Sequence, residues 1–329
     1  MRWKDLTRVV LMTSALALAV DASAATAHDG GCHHRGRHDQ RYAEAVIHDN
    51  PSYYWRLGQP GGSPDEMGHA EADASYGTQV TPLLPGALCE GDIAVGLSGA
   101  IVDNLWESHV VAGDGARTIA PGTAHFGTEI WARPDFLDGN SRRIASRELP
   151  AGGWLLAARA DALVFARFVH TPSGDQWSTL SAPPLPLHAW SYLVADYDPD
   201  GTMRLYVNGQ LAGSLASSLA LPDDPADGTP AGGRFLLGAS GRLWNPADPA
   251  THAYLEWDGA LDEAAFYGPT ATNLSASEIQ RHWWLGSACH GGHGHGHGDD
   301  DDGHGDDGHG HHYGHEPHGG HGHHHGHGW

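Results

Sequence analysis

Positive charge is what this chain has least of. Its 329 residues hold 18 Lys+Arg against 40 Asp+Glu, the only lysine is Lys4, and the net charge is -22 with histidine neutral. No basic field is available to collect phosphates, so nucleic acid and anionic membrane surfaces are excluded as natural partners and cations or metal ions are favoured. Long apolar runs are missing as well: no segment reaches the roughly 20 apolar residues that a membrane-spanning helix needs. Cysteine is scarce, with 3 residues in all. The excess lies in Gly (46) and His (27). Segment 290–329 alone holds 15 of each, so the chain divides into regions of different chemistry. The rest is long and apolar enough, at 40% hydrophobic overall, to bury a real core.

The first 24 residues have the layout of a secretory signal peptide. Arg2, Lys4 and Arg8 precede the apolar run Val9–Val20, and Ala22-Ser23-Ala24 ends it. A secreted protein, extracellular or periplasmic, is expected. A second small-residue site, Ala25-Thr26-Ala27, would expose His28 as an N-terminal chelator of copper. Removal of the signal takes three basic and two acidic residues and makes the charge one unit more negative. In an oxidising compartment Cys32, Cys89 and Cys289 allow one disulfide and one spare thiol. The favoured pair is Cys32 with Cys289, because both flank the globular region and domain ends tend to lie close together. The spare sulfur is a metal ligand, an intermolecular bridge or a buried thiol.

Residues 25–41 are polar, contain Cys32, His33 and His34, and read as a linker. From Tyr42 the texture changes. Residues 42–47 suit a short helix and Tyr53–Leu57 an aromatic strand. Strands are then expected at His125–Ala132, Trp154–Ala158, Ala162–Val169, Trp190–Tyr197, Met203–Val207, Arg234–Gly238 and Leu261–Tyr267. Asp198-Pro199-Asp200-Gly201 reads as a turn in which proline fixes φ and glycine supplies a positive one. Asn208-Gly209 is a hairpin signal. Ser275 with Glu278 forms a capping box ahead of Ile279, Trp283 and Trp284. Short strands without intervening helices predict an all-β, two-sheet antiparallel sandwich over 42–288. Short helices at its ends and a disordered tail over 289–329 complete the layout.

Several of these stretches resemble the laminin-G-like branch of the concanavalin A-like lectin/glucanase jelly rolls, in the form found in secreted bacterial proteins. Pro51–Gly58 is similar to that family's opening strand, Leu84–Leu88 to the loop after it, and Phe126–Pro134 to a central strand. Trp190–Val194 and Leu205–Gly209 resemble paired strands of the second half, and Gly259–Tyr267 with Leu274-Ser275 the closing strand and helix. The likeness covers roughly 42–285 and implies a jelly roll. It does not choose among sugar binding, protein binding and hydrolysis.

Glucanases of this superfamily draw two carboxylates from one strand, as Glu-x-Asp-x-Glu or Glu-x-Asp-x-x-Glu, to serve as acid and nucleophile or base. Here Glu256-Trp257-Asp258 opens the pattern, but Ala260 and Leu261 stand where the second glutamate belongs. The expectation is therefore no enzyme, with Asp262-Glu263 tying the last strand to neighbouring loops. For glycans, Trp106, Trp177 and Trp244 lie in polar, turn-rich stretches and are the candidate stacking platforms, while Trp55, Trp131 and Trp190 belong to the core. Relatives in the family often carry a structural calcium, and Asp65, Asp196, Asp198 and Asp200 are the oxygen donors near loops. A glycan or an extracellular protein is the expected partner of the sandwich; its oligomeric state is open.

The tail is built almost wholly of metal ligands and glycine. The ligands are His290, His293, His295, His297, His304, His309, His311, His312, His315, His318, His321, His323, His324, His325 and His327, with Asp299–Asp302 between them. Neutral imidazole suits zinc, nickel and copper, and several labile sites are expected rather than one fixed tetrahedron. Cys32, His33, His34 and Cys289 are further candidate ligands. Three readings stand side by side: a solubilising end, a metal buffer or capture arm, and a pH switch whose charge moves from -7 to +8 as its 15 histidines protonate. The capture arm is the leading one.

Overall fold

The computed structural model describes residues 36–89, 91–99, 108–112, 125–149, 151–221, 235–241, 255–268 and 273–288. Two antiparallel sheets face one another. The larger runs β13 (Gln210–Ala216), β12 (Thr202–Val207), β11 (Ser191–Tyr197), β6 (Phe126–Pro134), β15 (Asp258–Tyr267), β4 (Ile93–Ser98) and β3 (Thr81–Pro85), with β1 (Tyr53–Trp55) also joined to β15. The smaller runs β10 (Gly174–Ala182), β9 (Ala162–Thr171), β8 (Gly152–Arg159), β7 (Arg142–Leu149), β14 (Phe235–Leu237), β5 (Val110–Val111) and β2 (Ser75–Tyr76). The sandwich expected from the strand spacing is the fold.

Between the sheets lies an aromatic core of Trp55, Phe126, Trp154, Phe165, Phe235 and Phe266. Trp154 stacks on Phe126 at 4.9 Å between ring centroids. The larger sheet is buried on its other face as well, because two helices roof it. Helix α1 (Gly36–His48) contributes Tyr42, Ala43 and Val46, and α2 (Ala276–Ser287) contributes Ile279, against Tyr54, Trp131, Tyr192 and Tyr267 of the strands. This double burial is why β11 and most of β6 are enclosed along their length, a pattern that alternation alone does not produce.

Local chemistry sets the connections. Asn208 (φ 51°) and Gly209 (φ 75°) both take positive φ, which fits the two-residue turn joining β12 to β13. The Gly201 amide (φ 81°) donates to the Asp198 carbonyl at 2.9 Å, closing the expected turn. The capping box is present: the Glu278 amide donates to Ser275 Oγ at 3.3 Å, and the Ser275 amide to Glu278 Oε2 at 2.6 Å.

Some expectations need correction. Helix α1 starts at Gly36, inside the stretch read as linker, because polar residues extend a helix whose apolar face begins at Tyr42. Trp190 is half-buried rather than core, with the Arg133 guanidinium 5.3 Å from its ring. Cys89 is disulfide-bonded, so in a chain with 3 cysteines the pairing of Cys32 with Cys289 within one molecule is excluded. The partner of Cys89 lies outside the described residues.

The roof has no spare room at Gly286, where an added Cβ would stand 2.3 Å from Trp131 Cζ2. Gly286→Val should therefore lift the end of α2 from the sheet. Denaturant unfolding should show a loss of about 1–3 kcal/mol, and an unchanged midpoint would mean that α2 does not dock there.

Candidate binding face and buried carboxylates

The larger sheet is closed on both sides, which directs attention to the outer face of the smaller one. On that face Leu155 and Ala157 of β8 and Val164 and Ala166 of β9 form an apolar strip. Alternation from this strip places Phe168 on the same face, opposite Trp177 of β10 in register. The two rings stack at 4.6 Å, and Trp177 remains 46% exposed. At one side of the pair His170 Nδ1 lies 2.6 Å from Asp175 Oδ1. Along the edge strand Thr179 and Ser181 follow on the same side. Across the strip, on β7, Arg143 and Glu148 make a buried ion pair, Nε to Oε1 2.7 Å and Nη2 to Oε2 3.2 Å. The strip itself is buried, so what this edge exposes is one indole backed by Phe168, with hydroxyls beside it, and an exposed, supported indole is the chemistry that stacks on the apolar side of a sugar ring.

Of the predicted platforms, Trp177 is on this face. Trp106 and Trp244 lie outside the described residues, as do Cys32, His33, His34, Cys289 and every tail histidine from His290 to His327. The opening of the glucanase pattern is used structurally. Glu256 is buried and its Oε1 accepts the Ser108 amide at 3.0 Å, with His109 Nδ1 at 3.7 Å. Asp258 begins β15, opposite Ser98.

The proposed calcium donors do not come together as a site for that ion. Asp65 is consumed by the amides of Tyr54, Met67 and His69 and by the His69 ring. Asp196, Asp198 and Asp200 do converge, but on the guanidinium of Arg204, with the Asn273 amide bridging Asp196 and Asp198. Burial pushes Asp196 up to about 7 despite that arginine. An organic cation already holds the position, so the residues do not fit calcium.

A second carboxylate centre was not foreseen as a cluster. Asp92, Asp262 and Glu263 offer oxygens within 4.8 Å of one another, all buried. Strand β15 pairs with β4 through Leu261 and with β1 from Ala264, and between them Glu263 (φ 48°) forms a bulge against β6. The bulge delivers both side chains to the gap. Asp262 Oδ2 accepts the Ala87 amide at 2.8 Å and Asp92 Oδ2 the Leu88 amide at 2.9 Å. Glu263 accepts from the Tyr54 hydroxyl and from Arg56, whose Nη2 is 3.0 Å from Oε1. Asp262-Glu263 thus ties the last strand to its neighbours, as the sequence suggested. Arg56 Nη2 also lies 3.9 Å from Asp92. A divalent ion here would meet that guanidinium at about 4 Å, a repulsion on the order of 8 kcal/mol at an effective dielectric of 20. Protons are the better counter-charge. Burial, then Asp92 and Glu263, raise the Asp262 carboxyl well above its ordinary range, and burial pushes Glu263 up to about 8 against the pull of Arg56.

A third network pins the roof. Glu129 of β6 is fully buried and accepts from the hydroxyls of Tyr192 and Tyr267, the latter at 2.8 Å. His282 of α2 places Nδ1 2.9 Å from Glu129 Oε2 and Nε2 3.1 Å from Asp49 Oδ2, while Arg281 also reaches Asp49 at 3.0 Å. Burial alone would lower the imidazole's pKa; Glu129 and Asp49 more than offset it, so it ends raised.

An antiparallel sandwich of two sheets, the larger roofed by two helices, is a jelly-roll architecture. The chain belongs to the concanavalin A-like lectin/glucanases superfamily, whose laminin-G-like model matches residues 107–280, just over half its length. Among solved structures it is similar to the binding domain of Paraclostridial Mosquitocidal Protein 1, at 14% identity and a TM-score of 0.50, covering 71% of this chain and 52% of that one. It is also similar to a botulinum neurotoxin type C structure, described for cell entry through interaction with two ganglioside molecules (14% identity, TM-score 0.49, 73% and 52% covered). A third is domain 4 of AbnA, a GH43 extracellular arabinanase from Geobacillus stearothermophilus, in complex with arabinotriose (17%, TM-score 0.44, 70% and 97%). At these identities the likeness shows the fold, and the chain spans about half the length of the toxin domains it matches. No curated protein matches it. Among the described residues no helix is long and apolar enough to cross a membrane.

The raised groups, Glu263 and His282 among them, give stability a pH dependence of one sign. Folded Glu263 keeps its proton to about 8, whereas an unfolded glutamate loses it near 4.3. His282, also raised, keeps its proton above the unfolded value of about 6.5. The folded state therefore binds more protons through this range, and stability falls as pH rises from about 5 to 8. Tail histidines titrate alike in both states if they make no folded contacts and then cancel. Thermal melts should show a Tm several degrees lower at pH 8 than at pH 5.5, a slope reduced in Glu263→Gln, and no rise on adding calcium; a flat profile would contradict the protonated centre.

Proposed function

We propose that this protein is an exported, non-enzymatic binding protein whose sandwich takes a glycan on the outer face of the smaller sheet. Its C-terminal arm takes divalent transition metals, zinc, nickel or copper. The observation that carries the first half is Trp177, an indole backed by Phe168 and exposed at the edge of an apolar strip. Stacking on a sugar face needs a ring that is already rigid, and Phe168 supplies the support. The second half rests on composition, 15 imidazoles and 7 carboxylates in 40 residues over 290–329. A binding role fits the occupied state of Glu256, which caps a backbone amide instead of facing another carboxylate.

The two halves separate experimentally. On a glycan array, Trp177→Ala should lose at least tenfold in affinity for whatever neutral glycan the wild type retains, while a chain ending at 289 should bind it unchanged. In zinc or nickel calorimetry the pattern should reverse: truncation at 289 abolishes most of the uptake, and Trp177→Ala leaves it intact. Equal metal uptake with and without the arm would overturn the capture reading. Hydrolysis of a polysaccharide, lost in Glu256→Gln or Asp258→Asn, would overturn the non-enzymatic one.

A further inference from the structure

One end of the core holds a buried positive charge that, among the described residues, no carboxylate balances. Arg167 of β9 points inward and is fully buried, directly between Trp154 of β8 and Ser178 of β10 in register. Its guanidinium lies over the Tyr197 ring, 3.4 Å from the centroid, and Nη1 donates to Ser217 Oγ at 3.1 Å. Ser217 Oγ in turn donates to Ser178 Oγ at 2.9 Å, which leaves the Ser178 hydroxyl proton as a further donor. Nε and Nη2 of Arg167 have no hydrogen-bond partner, and among the described residues no carboxylate comes within ion-pair distance of them. The cross-strand neighbour repeats the imbalance: Trp154, also fully buried, has no acceptor for Nε1–H.

Donors without acceptors around an uncompensated charge are what an anion satisfies. A buried cation lacking a partner costs several kcal/mol even after relaxation, and the ring of Tyr197 returns only about 2 kcal/mol of that. Water would accept the orphan N–H groups but leave the charge. A carboxylate on a large ligand needs an open approach, which a fully enclosed side chain does not offer. We propose that Arg167, Trp154 and Ser178 form an interior site for one small inorganic anion of the chloride class. The bound ion neutralises the core and locks the β8, β9 and β10 strands that carry the Phe168–Trp177 face.

The full-length protein serves for the test, melted at constant ionic strength and pH, with chelator present throughout, as sodium chloride replaces sodium gluconate. A saturable Tm rise of roughly 3 °C is expected once chloride exceeds its dissociation constant about tenfold. Trp154→Phe keeps a ring in the stack and removes the N–H; its titration should shift to severalfold higher chloride. Arg167→Met should abolish the response, and if that variant fails to fold, crystals grown in bromide decide, with anomalous density expected beside Arg167. A wild-type Tm indifferent to the exchange, a Trp154→Phe titration identical to wild type, or no bromide at that position overturns the site.

Discussion

The last strand has more neighbours than a straight strand can serve. β15 must pair with β6 along one edge and with both β4 and β1 along the other, and the bulge at Asp262-Glu263 is how it does so. A non-glycine residue at φ 48° is strained, and two adjacent carboxylates in a dry gap are costlier still. Both costs are offset by what the gap contains. The Ala87 amide, the Tyr54 hydroxyl and Arg56 come from segments far away in sequence, and each reaches Asp262 or Glu263 only when β1, the 86–88 loop and β15 are in place, while the Leu88 amide holds Asp92 locally. The same bonds that relieve the bulge therefore set the register of the larger sheet.

That sheet is consequently an interior layer. With α1 and α2 over Trp131, Tyr54 and Tyr192, and with Glu129 held by two tyrosines and His282, its outer face is sealed by polar bonds rather than by apolar contact alone. Sealing one side leaves the edge of the smaller sheet for the glycan binding proposed above. The smaller sheet keeps Trp177 at its edge, and its buried Arg143–Glu148 pair satisfies charge without drawing it to the surface. Rigidity beneath and exposure above are what a stacking platform requires.

The sequence announced those parts whose local chemistry points one way. Asn208-Gly209, the Asp198–Gly201 turn and the Ser275 capping box each lie where their residues demand, because nothing tertiary competes there. Strands rich in Trp, Phe, Val and Leu were legible for the same reason. β7 and β10 were not: Arg142-Arg143 and Glu148 in one, Asp175, Gln176 and Ser178 in the other, give no apolar alternation, and their strand state is imposed by pairing with β8 and β9. The carboxylate centre was half legible. Asp262-Glu263 declared a tie to loops, but Asp92 and Arg56 join it only through the topology of β1, β4 and β15. The calcium donors failed on the same point, since a spacing of aspartates does not reveal that Arg204, one turn later, already sits among them.

How the arginines are spent explains the electrostatic character of the whole. Arg56, Arg133, Arg142, Arg143, Arg159, Arg204 and Arg281 are each engaged by a carboxylate. Every such pair offsets one positive charge against one negative one, so these guanidinium groups form no uncompensated basic patch among the described residues, in a chain whose formal charge is -22. An acidic glycan would approach such a chain against repulsion, whereas a neutral one feels none and a metal cation is drawn in. The histidine arm follows the same rule. On the proposed capture reading, imidazole takes zinc, nickel or copper only while neutral, so uptake by the arm would weaken as the pH falls.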